Sequence, residues 1–221
     1  MVVRLHLGTD HNHSKENFLK LDIPAREFGG YIFDCDGTLA DNMPLHYRAW
    51  SRAMEDFGGT YPEELFYQWG GRPTAHIVAA LNERFGTALD VEKTVRRKED
   101  YYLQMIPQVE PLAEVVEVAR RMRGQARLAV ASGGHRELVD ATLEVMGIRD
   151  WFDAVVCADD YERGKPHPDP FLMAARLIGV APGDCVVFED SPTGIEAAKA
   201  AGMEWVFVPG PRERGRIEGS R

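Results

Sequence analysis

The 221-residue chain is poor in three things: cysteine, long apolar runs and positive charge. Its three cysteines, Cys35, Cys157 and Cys185, cannot all pair, and they lie in apolar segments typical of thiols buried in a reducing cytosol. No apolar run approaches the ~18 residues of a membrane span, and residues 1–10 lack the apolar region of a signal peptide. A formal net charge of −9 argues against a nucleic-acid binder, whose surface is expected to be basic. We therefore expect a cytoplasmic protein with no membrane and no nucleic-acid partner.

The periodicity of the apolar residues predicts an α/β fold with a helical insertion. Residues 42–108 carry helical spacing and no strand candidate, which predicts a small helical bundle that begins with Asn42 as an N-cap and has Phe57 on its first apolar stripe. Residues 27–41 and 109–211 alternate strands and helices, which predicts a parallel sheet with helices on both faces. The predicted strands are Tyr31–Phe33, Arg127–Ala131, Ala154–Cys157, Asp184–Phe188 and Trp205–Val208.

Both ends of the chain are predicted to lie outside this fold. Residues 1–26 form a polar arm without a clear period, and residues 212–221 form a charged tail. The arm contains His6, His11 and His13, which we expect to be surface residues, because no cysteine or acidic cluster completes a metal site around them.

The end of the first predicted strand is rich in acids. The apolar run is followed by Asp34, Asp36, Gly37 and Thr38. Side chains alternate along a strand, so Asp34 and Asp36 are predicted to start out on the same side, while Gly37 allows a sharp turn and Thr38 adds a hydroxyl and an N–H group. Two carboxylates this close repel each other unless a cation or a proton separates them. The alternative is a strand that simply runs into a common Asp-Gly turn.

Polar residues also follow the other predicted strands. The second strand ends at Ser132 and Gly133, where a hydroxyl and uncrowded N–H groups suit an anion. The proline-rich loop after the third strand carries Lys165, and the fourth strand ends at Glu189 and Asp190. Each signal has an ordinary alternative, namely a capping serine, a solvated lysine and an Asp-Ser helix cap.

Together these strand ends predict one site, because the carboxyl ends of parallel strands meet at one edge of a sheet. Carboxylate oxygens are the ligands that Mg²⁺ prefers, and the sequence supplies them at Asp34, Asp190 and Glu189. Hydroxyl and ammonium groups suit the oxygens of a phosphoryl group, and the sequence supplies them at Thr38, Ser132 and Lys165.

With these motifs the chain resembles the haloacid dehalogenase superfamily of aspartate-nucleophile phosphotransferases, over about residues 28–210. All four motifs of that family are present in order, as Asp34-Cys35-Asp36-Gly37-Thr38, Ser132, Lys165 and Glu189-Asp190. The resemblance implies a Rossmann-like core and identifies the helical insertion as the family's cap domain. Asp41 to Trp50 and Phe188 to Ala198 resemble the β-phosphoglucomutase-like branch, which includes sugar-phosphate phosphatases such as the fructose-1-phosphate phosphatase type.

The resemblance implies a mechanism with two aspartates. Asp34 would attack phosphorus and form an aspartyl-phosphate, while Asp36 would protonate the leaving alkoxide and then deprotonate the hydrolytic water. Lys165 would offset negative charge on the transferring group. Mg²⁺ would be held by Asp34, the main-chain carbonyl of Asp36, Asp190 and Glu189. An acid at position 36 also argues against the dehalogenases and phosphonatases of the superfamily, which have no alkoxide to protonate.

The resemblance also implies that substrate choice lies in the cap. His46 matches a histidine near the hinge of the mutase branch, and Lys98 matches a cap lysine that reaches into the site. The alternative for Lys98 is a solvated charge on a helix.

Three positions depart from the mutase pattern and favour a simple phosphatase. Pro73 replaces the mutase's phosphate-gripping arginine and displaces Arg72 by one position, and His135 and Arg136 stand where the mutase has lysine and asparagine. These changes fall where the mutase holds its substrate's second phosphate. Arg72, His135 and Arg136 are still candidates for substrate binding, together with Gly133, His46 and Lys98. We therefore expect a Mg²⁺-dependent phosphatase of small phosphorylated metabolites, monomeric or weakly dimeric. A sugar phosphomutase is the second hypothesis, and a non-catalytic phosphate-binding module is the third.

Overall fold

The computed structural model of the protein describes residues 21–211. In this range five parallel strands form one sheet in the order β3-β2-β1-β4-β5. The strands are β1 (Gly30–Phe33), β2 (Arg127–Ala131), β3 (Ala154–Val156), β4 (Cys185–Glu189) and β5 (Glu204–Phe207). The predicted parallel sheet is confirmed, and strand ends differ from the prediction by at most one residue, the usual uncertainty of such boundaries.

The strand order places a topological switch point at the centre of the sheet. Gly30 of β1 pairs with Arg127 of β2 on one side and with Cys185 of β4 on the other. All residues of β1 and β4 are buried, because helices cover both faces of the sheet. The carboxyl ends of β1 and β4 therefore lie side by side at the position where open α/β sheets bind their ligands.

Eight α-helices occupy the described range. They are α1 (Met43–Asp56), α2 (Glu63–Gln68), α3 (Thr74–Phe85), α4 (Val91–Met105), α5 (Ala113–Met122), α6 (Arg136–Val145), α7 (Asp169–Ile178) and α8 (Pro192–Ala200). Apolar residues of α5 and α6 pack on one face of the sheet, while those of α7 and α8 pack on the other. The sheet is thus the middle of three layers.

Helices α1 to α4 follow β1 directly and form the predicted helical insertion, here called the cap. Aromatic side chains fill its interior, with Trp50 packed edge-to-face against Tyr61 and Tyr61 against Phe66. A second apolar cluster joins the cap to helix α6 of the α/β core, since Leu45 of α1 and Met105 of α4 pack with Leu138 of α6. The cap therefore has its own core and a defined seat on α6.

One of the two local predictions about α1 is wrong. Asn42 is the N-cap residue of the helix, as predicted, but its side chain makes no capping bond, because its amide is directed to other partners. Phe57 lies just beyond the end of α1 and is exposed, so it does not belong to the apolar stripe. The residues that α1 does bury toward its neighbours include Ala49 and Met54.

The described part of the N-terminal segment lies against the fold. Leu21 and Ile23 pack on the apolar cluster of the sheet, and Arg26 forms ion pairs with Asp184 and Glu204. The histidines of residues 1–20 and the tail at 212–221 lie outside the described residues. All three cysteines are buried free thiols, as predicted. None of the helices in residues 21–211 is both long and apolar enough to cross a membrane.

Candidate active site

The carboxyl ends of β1 and β4 hold a buried cluster of three acids and one lysine, here called the acidic cluster. Lys165 Nζ donates to Asp34 Oδ1 at 2.6 Å and to Glu189 Oε2 at 2.7 Å. The lysine reaches them from the loop before α7, with its ammonium group 5.0 Å from the ring centroid of Phe171. The predicted convergence of Asp34, Lys165, Glu189 and Asp190 is therefore observed.

Glu189 is the most engaged of the three acids. One carboxylate oxygen accepts from Lys165, while Oε1 accepts from the N–H group of Ser191 at 3.0 Å and from its hydroxyl at 2.7 Å. Ser191 is also the N-cap of α8, where its Oγ accepts from the N–H group of Gly194. The predicted helix cap thus exists at Ser191, which leaves Asp190 available to the site.

The charges of the acidic cluster do not balance. One carboxylate oxygen from each acid lies within 4.8 Å of one oxygen of the other two acids, Asp34, Glu189 and Asp190 being the three residues. Against these three acids, Lys165 supplies one positive charge. Burial and the charge of Glu189 raise the pKa of Asp34 to about 7 although Lys165 opposes them, and the same two causes raise the pKa of Asp190 well above its usual value. Two negative charges therefore remain to be neutralised by protons or by a cation, and the oxygen donor set suits Mg²⁺.

The turn after β1 is built to bring the acids together. Gly37 has φ +85°, and a Cβ at this position would overlap with the carboxylate of Asp190. A glycine is required here on both grounds. The Thr38 hydroxyl lies 3.5 Å from Asp190 Oδ1, at the limit of a hydrogen bond, while its N–H group bonds Cys35 within the turn.

Ser132 and Gly133 line the same edge of the sheet at the end of β2. Ser132 is buried, and its Oγ accepts from the N–H group of Gly134 at 3.0 Å, which leaves the hydroxyl proton free to donate. A Cβ added at Gly133 would meet no atom within 4 Å. This loop therefore presents one hydroxyl and open backbone to the site, as predicted for an anion site.

Asp36 faces a different set of partners from Asp34. Its Oδ1 accepts from Asn42 Nδ2 at 2.6 Å and from His46 Nε2 at 3.1 Å. Burial acts to raise the pKa of Asp36, but His46, Asn42 and Lys98 outweigh it and hold the pKa at about 2. The predicted alternation of side chains does not extend to Asp36, because β1 ends at Phe33 and the chain turns.

His46 links Asp36 to Lys98. The Nζ atom of Lys98 lies 3.0 Å from His46 Nδ1, and an ammonium group can only donate, so the imidazole proton lies on Nε2 and points at Asp36. Burial and the neighbouring Lys98 lower the pKa of His46, so the ring is neutral at pH 7. Lys98 is 5% exposed, and its predicted alternative as a solvated helix charge is wrong.

Two residues that sequence reasoning missed complete this group. The amide of Asn42 also donates to the hydroxyl of Tyr102 at 2.6 Å, and Tyr102 in turn lies 3.0 Å from Thr142 Oγ1. Tyr102 stacks on His46 with ring centroids 3.8 Å apart. The available signal was helical spacing, because Asn42 precedes His46 by four residues and Tyr102 follows Lys98 by four. Asp36, Asn42, His46, Lys98 and Tyr102 are here called the Asp36 group.

The loop between α2 and α3 brings the cap against the acidic cluster on the other side. Gly71 has φ +78°, and a Cβ there would overlap with the hydroxyl of Thr193, whose Oγ1 lies 3.5 Å from the carbonyl oxygen of Gly70. The next residue, Arg72, is exposed and its guanidinium lies over the ring of Trp69 at 5.0 Å. Arg72 is therefore near the loop that follows Asp190 but makes no ion pair among the described residues.

His135 and Arg136 are held by acids of the loop after β3. His135 Nδ1 lies 3.1 Å from Asp159, and its Nε2 lies 3.7 Å from Glu99 of the cap. The guanidinium of Arg136 pairs with Asp160 and donates to the carbonyl of Val155 at 3.1 Å. Arg136 is thus directed to the end of β3, and His135 lies at the contact between cap and core.

Comparison with known proteins identifies the family. Residues 28–202 match the model of the haloacid dehalogenase-like hydrolases. The chain is 40% identical over 182 residues to the fructose-1-phosphate phosphatase YqaB of Escherichia coli, covering 82% of this chain and 96% of that protein. It is 31% identical over 180 residues to a phosphorylated carbohydrates phosphatase of Thermotoga maritima, covering 80% and 82%. A β-phosphoglucomutase structure from Clostridium difficile has the same fold, with a TM-score of 0.72, 23% identity and coverage of 80% and 83%.

Proposed function

The chain belongs to the haloacid dehalogenase-like hydrolase family, and from that premise we propose that it is a Mg²⁺-dependent phosphatase of small phosphorylated metabolites, in particular sugar phosphates. It works through an aspartyl-phosphate on Asp34. The observation that carries the proposal is the contrast between two aspartates in one turn. Asp34 lies among acids and a lysine, whereas Asp36 lies among hydrogen-bond donors.

Asp34 is the nucleophile in this proposal. Its Oδ1 is held by Lys165 at 2.6 Å, which orients the carboxylate and leaves Oδ2 to attack phosphorus. The ammonium group of Lys165 also lies where negative charge grows on the transferring phosphoryl group. Because Asp34 is 6% exposed, its attack takes place in a site with little competing water.

Asp36 is the general acid and base. Its Oδ1 already accepts two hydrogen bonds, so the proton for the leaving alkoxide must reside on Oδ2, which lies on the side of Gly134 and the Ser132 loop. A bound phosphate ester adds negative charge nearby and raises the pKa of Asp36 from its low value, which favours the protonated form. After the sugar leaves, the carboxylate accepts a proton from water, which then hydrolyses the aspartyl-phosphate.

The remaining core residues bind and orient the phosphoryl group. Ser132 donates its free hydroxyl proton to a phosphoryl oxygen, and Gly133 and Thr38 add backbone or hydroxyl donors. Asp34 and Asp190, with the main-chain carbonyl of Asp36 and with Glu189 behind them, would hold Mg²⁺. When bound, the ion would neutralise charge on the nucleophile and on the phosphoryl oxygens.

Hydrolysis is favoured over phosphoryl transfer to a second sugar position. Two relatives are named as phosphatases of phosphorylated sugars, and both cover four fifths or more of the chain. Arg136 is paired with Asp160, and His135 lies between two carboxylates, so this side of the cap contact is poorly suited to a second phosphate. The predicted roles of His135, Arg136 and Arg72 in substrate binding stay predictions, as does the oligomeric state.

The experiment is a phosphate-release screen of the pure protein with Mg²⁺ over a panel of phosphorylated metabolites, with fructose 1-phosphate as the first choice. Release of phosphate from sugar phosphates, lost on chelation of the metal, is the expected result. A separate incubation with β-glucose 1-phosphate and a bisphosphate primer would produce glucose 6-phosphate if the protein were a mutase. No turnover with either would indicate a binding module and contradict the proposal.

A further inference from the structure

A buried chain of hydrogen bonds runs from helix α6 of the core to Asp36. It begins at Thr142 on α6, continues through the hydroxyl of Tyr102 on α4 at 3.0 Å, and reaches Asp36 through the amide of Asn42 with two bonds of 2.6 Å. Tyr102 is fully buried and Thr142 is 1% exposed. Neither hydroxyl bonds an acid of the acidic cluster or Asp36 itself, so the hydrogen bonds of both residues reach Asp36 through Asn42, while the ring of Tyr102 also stacks on His46.

The direction of each hydrogen bond made by Asn42 is determined. Asn42 Oδ1 accepts from the N–H group of Gly37 at 3.2 Å, which turns its NH₂ group toward Asp36 and Tyr102. The phenol oxygen of Tyr102 therefore accepts from Asn42, which leaves its own proton available for Thr142, although either hydroxyl can be the donor of this last bond. Without the Thr142 acceptor the phenol proton has no assigned partner, and without the phenol the second N–H of Asn42 has none. The chain thus fixes one orientation of the amide that holds Asp36.

We propose that Tyr102 and Thr142 are positioning residues for the general acid Asp36; this inference rests on the proposed phosphatase function. Tyr102 belongs to the cap and Thr142 to the helix on which the cap is seated, next to Leu138. The bond between them forms only when the cap lies on α6 as it does here. Seating of the cap is thereby coupled to the orientation of the carboxyl group that protonates the leaving alkoxide.

The test distinguishes a positioning role from a packing role by comparing two substrates that differ in their leaving group. An alkoxide needs a proton as it leaves, whereas p-nitrophenolate does not, so loss of acid positioning is selective for alkyl phosphates. Tyr102→Phe keeps the ring that stacks on His46 and removes only the hydroxyl, and Thr142→Val keeps the shape of the side chain. Thr142→Ser restores an acceptor and serves as the rescue.

The cap offers matched controls. Among the described residues, the hydroxyl of Tyr61 and Oγ1 of Thr94 are buried without a hydrogen-bond partner. Tyr61→Phe and Thr94→Val therefore make the same two chemical changes within the cap without breaking a hydrogen bond. Unfolding temperatures of all variants show whether each one is folded.

Tyr102→Phe and Thr142→Val are each expected to lower kcat/KM for fructose 1-phosphate, or for the best sugar phosphate of the panel, by about tenfold, with p-nitrophenyl phosphate changed less than about twofold. The double variant should be no worse than either single one, because both break the same chain. Thr142→Ser should retain most of the kcat/KM that Thr142→Val loses. The two control variants should have unchanged kcat/KM for both substrates.

Equal losses on the two substrates, or no loss on either, would overturn the inference. The variant Asp36→Asn distinguishes failure of this inference from failure of the proposed function. If Asp36→Asn is selective against the sugar phosphate and Tyr102→Phe is not, only the positioning role is wrong. If the wild-type protein releases no phosphate, or if Asp36→Asn lowers kcat/KM for both substrates equally, the proposed function fails and the inference fails with it. The comparison uses kcat/KM because the later activation of water by Asp36 is common to both substrates.

Discussion

Asp34 and Asp36 lie two residues apart in one turn, and each is near a buried lysine, yet their surroundings are opposite. In the acidic cluster Lys165 contacts two carboxylates directly, at 2.6 and 2.7 Å. In the Asp36 group Lys98 reaches its carboxylate only through the neutral ring of His46. Burial and a neighbouring acid raise the pKa of Asp34 to about 7, whereas the donors around Asp36 overcome burial and hold its pKa at about 2.

The number of neighbouring acids, and not the presence of a lysine, therefore decides whether the pKa of each aspartate is raised or lowered. The acidic cluster has more carboxylates than positive charges and would be completed by the proposed Mg²⁺, whereas the Asp36 group is nearly balanced. The two groups also come from different parts of the fold. The acidic cluster lies at strand ends, while the partners of Asp36 lie on helices α1 and α4 of the cap and, for Asn42, at the N-cap of α1.

Asp34→Asn should have the largest effect on activity. If it did not, the contrast between a nucleophilic Asp34 and a general acid Asp36 would fail. The amide is nearly isosteric but cannot attack phosphorus, so turnover should fall by on the order of 10⁴-fold or more on every substrate. Mass spectrometry of the rapidly quenched wild-type protein should locate the phosphoryl group on Asp34. A variant with normal activity would contradict the covalent mechanism.

Asp190→Asn should act on the metal requirement. Replacement of a charged carboxylate ligand by a neutral amide should raise the Mg²⁺ concentration for half-maximal activity by on the order of a hundredfold. Glu92→Gln is the control, because Glu92 is an exposed acid paired with Arg96 on the outside of α4. Mg²⁺ should also raise the unfolding temperature of the wild type and of this control, but raise that of Asp190→Asn much less. Equal metal responses in all three proteins would remove Asp190 from the site.

The acidic cluster could be predicted from the sequence, whereas most of the Asp36 group could not. Asp34, Lys165 and Asp190 follow buried strands or sit in the loop of a strand crossover, and parallel topology alone brings such positions to one edge. The partners of Asp36 depend on how the cap is seated. Tyr102 meets Asn42 from 60 residues away and Thr142 from 40 residues away, and no local pattern encodes these contacts.

His46 and Lys98 show the limit of a family resemblance. It indicated that both belong near the site, but not that they contact each other and that the imidazole faces Asp36. The direction of Arg136 could not be predicted either, because its partner Asp160 belongs to a loop 24 residues further along the chain. Local pattern therefore predicts which residues reach the site edge, and packing decides which of them face each other.

Lys98→Met should have a moderate effect on activity, which would show how the role of Lys98 differs from that of Lys165. Without the ammonium donor, His46 loses the bond that fixes its tautomer, and its hydrogen bond to Asp36 weakens. We expect kcat/KM for a sugar phosphate to fall about tenfold, or about 1.4 kcal/mol, with p-nitrophenyl phosphate changed little. Lys93→Met is the control, since Lys93 is exposed on the same helix. Equal losses on both substrates would place Lys98 in the fold instead.

The smallest expected effect is a dependence of the unfolding temperature on pH. It follows from the opposite pKa shifts of Asp34 and Asp36. The folded-state pKa of Asp34 lies above its ordinary value, so the folded protein binds an extra proton and its stability falls as pH rises through about 7. Asp190 is shifted in the same direction. Asp36 has a lowered pKa, so its contribution is present above about pH 4 and is lost only as pH falls toward 2. In a metal chelator the unfolding temperature should therefore fall by on the order of 5 °C between pH 6.5 and pH 8.

Magnesium and the choice of pH window make this last prediction specific. Below pH 6.5 the buried neutral His46 acts in the opposite direction, because the unfolded chain binds the proton that the folded ring does not, so the window begins there. A bound divalent cation replaces the missing positive charge, so saturating Mg²⁺ should flatten the dependence and stabilise the protein more at pH 8 than at pH 6.5. Asp34→Asn should flatten it without metal, because the variant has one titrating acid fewer in the acidic cluster. A wild-type unfolding temperature that is independent of pH in the chelator would mean that Lys165 alone balances the three acids, and the contrast between the two aspartates would then be one of orientation and not of charge.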